Sequence, residues 1–507
     1  YGGTTSALGF KSEGTNFTGS LLIGHSTTGT ISSAQYNTGI GIAALDALTS
    51  GDQNVAIGYQ AATALQSSVG GVFIGYRAGL NITTGHSNIA IGNNALLTED
   101  THGYNIAIGS SALKDQDAGA DAYNVAIGHE AGQNVTSGVR NVIIGGLAAD
   151  ALTSGGYNIA IGYSALGTED TGARSVAIGY AALGLQNYNG DAYNIAIGYS
   201  SGSEITSGIQ NTIIGGLAGD ALTTGYNNVA IGHNALTAED TAGHNVAIGF
   251  EALKAHNNDT ADSYNVAVGA KAGTAVTTGT YNNIIGGLAG DALTTGGFNV
   301  AMGYAALGAE DTGSRNIAIG HSALTTLNYD GAGYNIAIGY DAGKAVTTGI
   351  ENTIVGGLAG DALTTGSYNI AIGQLALSTE DEGSRSIAIG KNALRLQNND
   401  GNNYNIAIGH SAGENVSTGT INTLIGGLAG DALTQGNSNI AIGYQALTSE
   451  TKGDRNVAIG VDALYTQNNT SDTDVYNVAI GYYAGRLVTT GTLNTIVGGL
   501  AGDALTT

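Results

Sequence analysis

The sequence predicts an all-β fold, a parallel β-solenoid (β-roll) whose coils of about 17 residues stack on one another. Close copies of one six-residue unit, YNIAIG at residues 157–162, return along almost the whole chain. The step between copies is 17 residues, as from Asn141 to Asn158, and it lengthens at every fourth copy. Each copy holds one short run rich in Ile and Val, which is typical of a strand. One strand-like run per fixed period is the pattern of a solenoid.

The composition agrees with a long repetitive rod more than with an ordinary globular chain. The 507 residues include 84 Gly and neither Pro nor Cys. Gly at fixed positions indicates tight turns, and the absence of Pro fits a chain whose backbone N–H groups are needed in ladders. The formal charge of −24 disfavours binding to nucleic acid or anionic membranes, and no apolar run approaches the roughly 20 residues of a membrane helix. We expect any secretion signal or anchor to lie outside this sequence.

The repeat predicts one continuous domain with two parts. Residues 1–53 are degenerate N-terminal coils, with the weakest match at Ser6-Ala7-Leu8-Gly9, and residues 54–507 form the regular solenoid. Four coil types follow each other in a super-repeat of about 70 residues. Examples of types 1 to 4 begin at Asn158, Ser175, Asn194 and Asn211.

Each coil is expected to contain a strand of about five residues and a bend at Gly162. A second extended piece around Ala165 and Leu166 and a polar turn closed by Gly172 would complete it. The Asn of each unit would lie over the previous one and hydrogen-bond along the ladder. Roughly 29 coils at about 4.8 Å each predict a rod on the order of 140 Å long.

Alternation along the strand sends Ile159 and Ile161 to one face and Asn158 and Ala160 to the other. We expect the two Ile side chains to fill the coil interior, which leaves the Ala column outside. In type 4 coils a larger residue replaces Ala. These residues are Ile143, Ile213, Ile284, Ile354, Leu424 and Ile496. An exposed apolar column needs cover, so the pattern indicates that several chains pack side by side along it.

The recurring Asn-x-Ala-Ile-Gly unit resembles the YadA-like head repeats of trimeric autotransporter adhesins, and similar repeats occur in tail fibre proteins of bacteriophages. The resemblance covers the chain from about Ser20 onward. It implies a left-handed β-roll that assembles as a homotrimeric fibre. It also implies attachment to a surface, through a cell-surface glycan or protein receptor, from an extracellular position on a bacterial cell or a virion tail. The coil here is longer than the family repeat.

Acidic pairs recur once per super-repeat. They are Glu169-Asp170, Glu239-Asp240, Glu310-Asp311 and Glu380-Asp381. Paired carboxylates can hydrolyse glycosides, but neighbours in a repeated turn are poorly placed for this. Most have an Arg five residues after the Glu, at Arg174, Arg315 and Arg385, and Arg455 follows Glu450 at the same distance. A surface ion pair across the turn is the simpler interpretation, so no catalytic residue and no cofactor is predicted.

Possible metal ligands are interpreted as structural residues. The extensions Asn257-Asn258-Asp259, with Asp262, and Asn398-Asn399-Asp400 offer oxygen atoms that Ca²⁺ accepts, but they lack the spacing of known calcium loops and favour solvated turns. The nine His residues, which include His129, His233, His244 and His410, show no paired spacing and are interpreted as surface residues. No metal site is predicted.

Tyrosines form the remaining candidate set. Tyr123, Tyr193, Tyr264, Tyr334, Tyr404 and Tyr476 precede the Asn of one coil type. Tyr163, Tyr199, Tyr304 and Tyr340 follow the Gly of others, and these four are the candidate ligand-binding residues. Rows of exposed Tyr suit weak multivalent binding of glycans, whereas the alternative is that they only cover the coil edges.

The sequence therefore predicts a non-enzymatic, homotrimeric β-solenoid fibre that acts as an extended adhesive shaft and attaches to a cell or host surface. A glycan-degrading tailspike is one alternative, and it would require a groove with a non-repeating acidic pair. A purely structural filament subunit is the other, and it would assemble end to end without binding to cells.

Overall fold

A computed structural model describes residues 10–11, 15–24, 30–259 and 262–507. Throughout these ranges the regular secondary structure is β, and they contain no helix. The chain divides into two compact units. Unit 1 comprises residues 1–247 and 257–262, and unit 2 comprises residues 248–256 and 263–507. The chain first passes from unit 1 to unit 2 within strand β15 (Val246–Ile248).

Unit 1 is a parallel β-solenoid with one strand per coil. Its strands are β1 (Phe10–Lys11), β2 (Leu21–Ile23), β3 (Thr38–Ile40), β4 (Val55–Ile57), β5 (Val72–Ile74), β6 (Ile89–Ile91), β7 (Ile106–Ile108), β8 (Val125–Ile127), β9 (Val142–Ile144), β10 (Ile159–Ile161), β11 (Val176–Ile178), β12 (Ile195–Ile197), β13 (Thr212–Ile214) and β14 (Val229–Ile231). Strands β2 to β14 pair in parallel, each in register with the equivalent residues of the next coil. Among the described strands of unit 1, β1 alone pairs in antiparallel, with β2.

Unit 2 has the same construction. Its strands are β16 (Val266–Val268), β17 (Asn283–Ile285), β18 (Val300–Met302), β19 (Ile317–Ile319), β20 (Ile336–Ile338), β21 (Thr353–Val355), β22 (Ile370–Ile372), β23 (Ile387–Ile389), β24 (Ile406–Ile408), β25 (Thr423–Ile425), β26 (Ile440–Ile442), β27 (Gly453–Asp454), β28 (Val457–Ile459), β29 (Thr473–Asp474), β30 (Val478–Ile480) and β31 (Thr495–Val497). Strands β27 and β29 pair separately, and the others form the parallel ladder. The predicted parallel solenoid with a spacing of about 17 residues is thus confirmed.

The coil differs in detail from the sequence prediction. Its strand has three residues instead of about five, as in β10. The segment around Ala165 and Leu166 is a turn and not a second extended piece, because Leu166 has a φ of 55°. Both side chains are fully buried, so this turn forms the wall of the coil opposite the strand. The degenerate start at residues 6–9 lies outside the described residues.

The Asn of each unit, called here the motif Asn, is buried and links successive coils. Asn158 Oδ1 accepts a hydrogen bond of 2.9 Å from the backbone N–H of Ser175 in the next coil. Its Nδ2 donates to the carbonyl of Gly172, 2.9 Å away, at the end of its own coil. The predicted stacking of Asn over Asn is confirmed, but the main partners are backbone groups. One side chain therefore closes its own coil and fixes the register of the next.

The predicted facing of the strand was wrong. Ala160, at the centre of β10, is fully buried inside the coil, whereas Ile159 and Ile161 are only half-buried. The Ala column is therefore the core, together with the motif Asn. The interior is too narrow for two Ile side chains per coil, because the turn at Leu166 stands opposite the strand. The columns of Ile159 and Ile161, called here the outer columns, face outward.

The large residues of type 4 coils have an explanation within the chain. Where Ile213 replaces Ala, the position of Leu166 is taken by Gly219. A Cβ at Gly219 would lie 3.3 Å from Ile213 Cδ1, so the Gly leaves the space that Ile occupies. A Cβ at Gly202 in the preceding coil would lie 3.1 Å from the same Ile213 Cδ1 atom. The larger side chain at the Ala position is thus compensated by a Gly at the facing position, which keeps the interior volume similar. The replacement of Ala by Ile therefore gives no evidence for contact with another chain.

The Gly that ends each strand is required by close stacking. Gly162 has a φ of +134°, and a Cβ there would lie 2.2 Å from the carbonyl oxygen of Gly179 in the next coil. A side chain is therefore excluded on both conformational and steric grounds. This position turns the chain from the strand toward Ala165.

Candidate functional site

Each unit has an apolar surface on the outer face of its strand ladder. The outer columns repeat Ile or Val in nearly every coil, for example Ile159, Val176 and Ile195 in unit 1. These side chains are half-buried, and Ile195 is 38% exposed. In some coils Thr replaces Ile or Val at the first strand position, as at Thr212. Two largely apolar columns, one of them interrupted by Thr or Asn in some coils, therefore run along the ladder and face solvent.

Stacked aromatic rings border this face on one side in unit 1. They belong to the residues that follow the motif Gly. Tyr163 stacks on Tyr180 with ring centroids 5.6 Å apart, and Tyr180 stacks on Tyr199 at 5.3 Å. Tyr163 and Tyr199, two of the four predicted ligand-binding residues, are 50% and 59% exposed. The structure brings them into one ladder through Tyr180, which the sequence prediction did not include.

The equivalent ladder in unit 2 contains the other two candidates. Tyr304 and Tyr340 lie on either side of His321, with centroid distances of 5.5 and 5.4 Å. They are 54% and 59% exposed. Both ladders present three consecutive rings at the spacing of the coils. The missed members, Tyr180 and His321, could have been found from their place one residue after the motif Gly.

The residues that precede the motif Asn form a second column, in which Tyr and Arg alternate from Tyr123 to Tyr193. Tyr157, Arg174 and Tyr193 follow one another in unit 1. The Arg174 guanidinium lies 5.3 Å from the ring centroid of Tyr157 and 5.7 Å from that of Tyr193. In unit 2, Arg315 and Arg385 lie over rings in the same way. These contacts are cation–π pairs between adjacent coils.

The predicted ion pairs between the acidic pairs and Arg are wrong. Glu169 is fully buried, and its Oε1 accepts from the backbone N–H of Gly172 at 2.6 Å. Arg174 instead forms an ion pair with Asp191 of the next coil, at 3.0 Å between Nε and Oδ2. Arg455 pairs in the same way with Asp474. The Glu is a core residue, because its carboxylate closes the turn that the sequence analysis placed at the surface.

A Gln of the following coil holds the second carboxylate oxygen of three buried Glu side chains, Glu169, Glu380 and Glu450. Gln186 Nε2 donates to Glu169 Oε2 at 2.9 Å, and Gln397 Nε2 donates to Glu380 Oε2 at 2.8 Å. Burial raises the pKa of Glu380 above its ordinary value, and the Gln397 hydrogen bond opposes this rise. At Glu310 the position of the Gln is taken by Leu327, and burial raises the pKa of Glu310 as well.

Two further sequence interpretations need correction. The Asn-rich extension is not simply a solvated turn, because Asn403 is buried and its Nδ2 donates to Glu380 Oε2 at 3.0 Å. Asn399 contributes its backbone N–H to Glu380 Oε1 at 3.4 Å. His256 is fully buried, although all His residues were interpreted as surface residues. Burial lowers the pKa of His256 to about 4, so the imidazole is neutral at physiological pH.

Unit 1 also has an open groove of about 440 Å³ beside the turns that face away from the strands. Asp150 and Glu204 contribute carboxylates to its lining, and burial raises the pKa of Asp150. The two residues belong to coils three steps apart, which places their backbones about 14 Å from each other at 4.8 Å per coil. Glycosidase acid–base pairs have carboxyl groups about 5–9.5 Å apart. The groove therefore offers polar binding atoms more readily than a hydrolytic pair.

One group of potential metal ligands occurs among the described residues. It consists of Glu99, Asp100, His102 and Asp117, whose ligand atoms lie within 4.8 Å of one another. Glu99 is buried, and Asp100 and Asp117 are exposed. The sequence analysis did not identify this group, because its members come from the turn of one coil and the extension of the next. Across the described part of the chain, no helix is long and apolar enough to cross a membrane.

We predict that Gln397→Leu raises the pKa of Glu380 further, because it removes a hydrogen bond that favours the charged carboxylate and lowers this pKa. A raised folded-state pKa means that the stability from this group is present below the unfolded value of 4.5 and is lost as pH rises through the folded value. The variant is therefore most destabilised, relative to the wild type, at neutral pH. The difference in folding stability between the two becomes smaller as the pH is lowered. Hydrogen exchange of the coil around Glu380, followed against pH, measures this.

Leu327→Gln is the matched control, because Leu327 shows that Leu fits this position. It adds a donor beside Glu310, so it is expected to lower the pKa of Glu310. An unchanged pH dependence in both variants would contradict the assignment of these Gln residues as partners of the buried carboxylates.

Comparison with known proteins assigns this chain to no family. No family model, no curated protein and no solved structure matches it. The resemblance to YadA-like head repeats therefore stays a prediction that rests on the repeated unit. The function has to be argued from the surfaces described above.

Proposed function

We propose that this chain is a non-enzymatic fibre protein of the adhesin or tail fibre type, in which three copies pack along their strand faces and form an attachment shaft. The observation that supports the proposal is the exposed strand face, with its two outer columns of Ile and Val bordered by aromatic ladders. Monomeric soluble proteins rarely expose apolar patches larger than a few hundred Å². A face that repeats in coil after coil requires a partner.

The energetics favour a partner that covers many coils. Full burial of an Ile side chain contributes roughly 1.5–3 kcal/mol, so covering the exposed third offers about 0.5–1 kcal/mol per residue. Ten coils along one column would give about 5–10 kcal/mol, which is comparable with the cost of association of about 4–15 kcal/mol. The burial of both outer columns together would contribute more than most of this range of association costs.

Another copy of the same solenoid is the partner that fits best. Its outer columns repeat at the same coil spacing of about 4.8 Å, so Ile and Val ridges of two copies can interlock over many coils without losing register. The number of three copies comes from the resemblance to the YadA-like repeats. The face proposed for the contact is that of the outer columns, since the Ala column lies inside the coil.

Attachment is assigned to the aromatic ladders at the border of the strand face. Three stacked, half-exposed rings such as Tyr163, Tyr180 and Tyr199 offer a flat platform on which sugar rings can stack, with hydroxyl groups free for hydrogen bonds. Repetition makes weak binding multivalent. The proposed location is extracellular, on a bacterial cell surface or a virion tail, where a glycan or protein receptor would be met.

Light scattering of the purified chain tests the assembly. The expected mass is three times that of the chain. Replacing Ile159, Val176 and Ile195 by Lys is expected to weaken the assembly, so that it dissociates at lower denaturant concentration. Lys at the exposed turn residues Ser154 and Ser207 is the control and leaves the mass unchanged. A wild-type chain that stays monomeric would contradict the packing proposal.

Retention on immobilised surface glycans, measured together with release of reducing ends, tests the function. We expect retention without release, and a loss of at least about 10-fold when Tyr163, Tyr180 and Tyr199 are replaced by Ala, since each aromatic contact contributes about 0.5–1.5 kcal/mol. Tyr226→Ala is the control, because that hydroxyl already donates to Asp262. Release of reducing ends would instead support a glycan-degrading tailspike, and assembly without any retention would support a purely structural filament.

A further inference from the structure

One turn of unit 1 departs from the pattern of the other super-repeats. In this turn Glu99 is the buried Glu, and His102 lies three residues later. Later super-repeats have a small residue in place of His102. These residues are Gly172, Ala242, Gly313, Gly383 and Gly453. The extension of the next coil also differs, because Asp117 stands where later super-repeats have Asn. These residues are Asn187, Asn257, Asn328, Asn398 and Asn468.

The two departures place an imidazole and an additional carboxylate beside the buried Glu. Ligand atoms of Glu99, Asp100, His102 and Asp117 lie within 4.8 Å of one another. Atoms that share a metal ion at about 2.0–2.3 Å stand roughly 3–4.6 Å apart. The four groups are thus at, or within a small side-chain movement of, coordination distance.

The buried carboxylate at the centre of the group lacks a hydrogen-bond partner for one oxygen. Glu99 Oε1 accepts from the backbone N–H of His102 at 2.9 Å, but among the described residues no donor reaches Oε2. The equivalent oxygen of Glu169 is held by Gln186. Here the corresponding Gln116 is present, but its Nε2 donates to the carbonyl of Thr136 instead. Glu99 Oε2 is therefore a fully buried acceptor without a donor among the described residues.

The charges of the group also require a counterion. Glu99, Asp100 and Asp117 bring three carboxylates together, and the nearest Lys of the extension, Lys114, lies 3.5 Å from Asp115. His102 Nδ1 is 3.4 Å from Glu99 Oε1, which is longer than a hydrogen bond between charged groups.

We propose that Glu99, Asp100, His102 and Asp117 form a binding site for one divalent first-row transition-metal ion, of which Zn²⁺ and Mn²⁺ are the best probes. Carboxylates suit Mn²⁺ and imidazole suits Zn²⁺, so the mixed set selects this class over the all-oxygen sites of Ca²⁺. Because Asp117 belongs to the coil after that of Glu99, the ion ties two adjacent coils together.

The test uses the full chain, freed of metal by chelator and then titrated separately with Zn²⁺, Mn²⁺, Ca²⁺ and Mg²⁺. Calorimetry and metal analysis after dialysis are expected to give one Zn²⁺ or Mn²⁺ per chain. Hydrogen exchange is expected to slow in the peptides that contain His102 and Asp117. The variant that removes two of the proposed ligands is His102→Gly with Asp117→Asn. It restores the residues found in other super-repeats and thus keeps the fold.

We expect this double variant to bind at least about 100-fold more weakly, since it loses two direct ligands. The control is His129→Ala with Glu130→Ala, a separate His–acid contact of 3.8 Å in unit 1, and it leaves binding unchanged. Absence of binding, or equal binding by the double variant, would overturn the proposal. Binding of Ca²⁺ alone, unaffected by His102→Gly, would also overturn it, because the imidazole would then have no role.

Discussion

The hydrogen bond from the backbone N–H of one coil to the motif Asn side chain of the previous coil is the interaction on which the fold depends. The interior of the coil is narrow and contains a polar residue in every turn, so the buried side-chain amides need hydrogen-bond partners. Asn meets this requirement because one side chain carries both an acceptor and a donor. The acceptor fixes the next coil, as at Asn158 and Ser175, and the donor closes the coil to which it belongs. A shift by one residue would break both bonds along the whole ladder.

The fold was predictable from the sequence because the period is independent of side-chain packing. Seventeen-residue spacing places equivalent residues over each other whichever face is inside. The facing was not predictable from hydrophobicity alone, because Ile159 is more apolar than Ala160 and was assigned to the core. The deciding quantity is the width of the coil, and a three-residue strand opposite the turn at Leu166 leaves space for Ala160 and Asn158 but not for two Ile side chains. The exchange of Ala160 and Leu166 for Ile213 and Gly219 was the available signal in the sequence.

The functional residues divide in the same way. Tyr163, Tyr199, Tyr304 and Tyr340 were placed correctly at the surface because they follow a Gly that turns every strand. Their arrangement in ladders needs the intervening rings, whose position in the period is visible in the sequence. The role of the acidic pairs was not visible, because the burial of Glu169 depends on how its turn folds against the next coil. Departures from the repeat are more informative than the repeat itself, as His102 illustrates.

The inward position of the Ala column and the register of the strands can be tested together, because the chain has no Cys of its own. Parallel neighbours about 4.8 Å apart satisfy the Cα separation of a disulfide. Cys introduced at Ile161 and Ile178, which are register partners, is expected to oxidise to an intrachain disulfide. A single Cys at Ala160 is expected to resist thiol reagents until the chain is unfolded. Disulfide formation between positions 161 and 177 instead, or rapid labelling at position 160, would contradict the account.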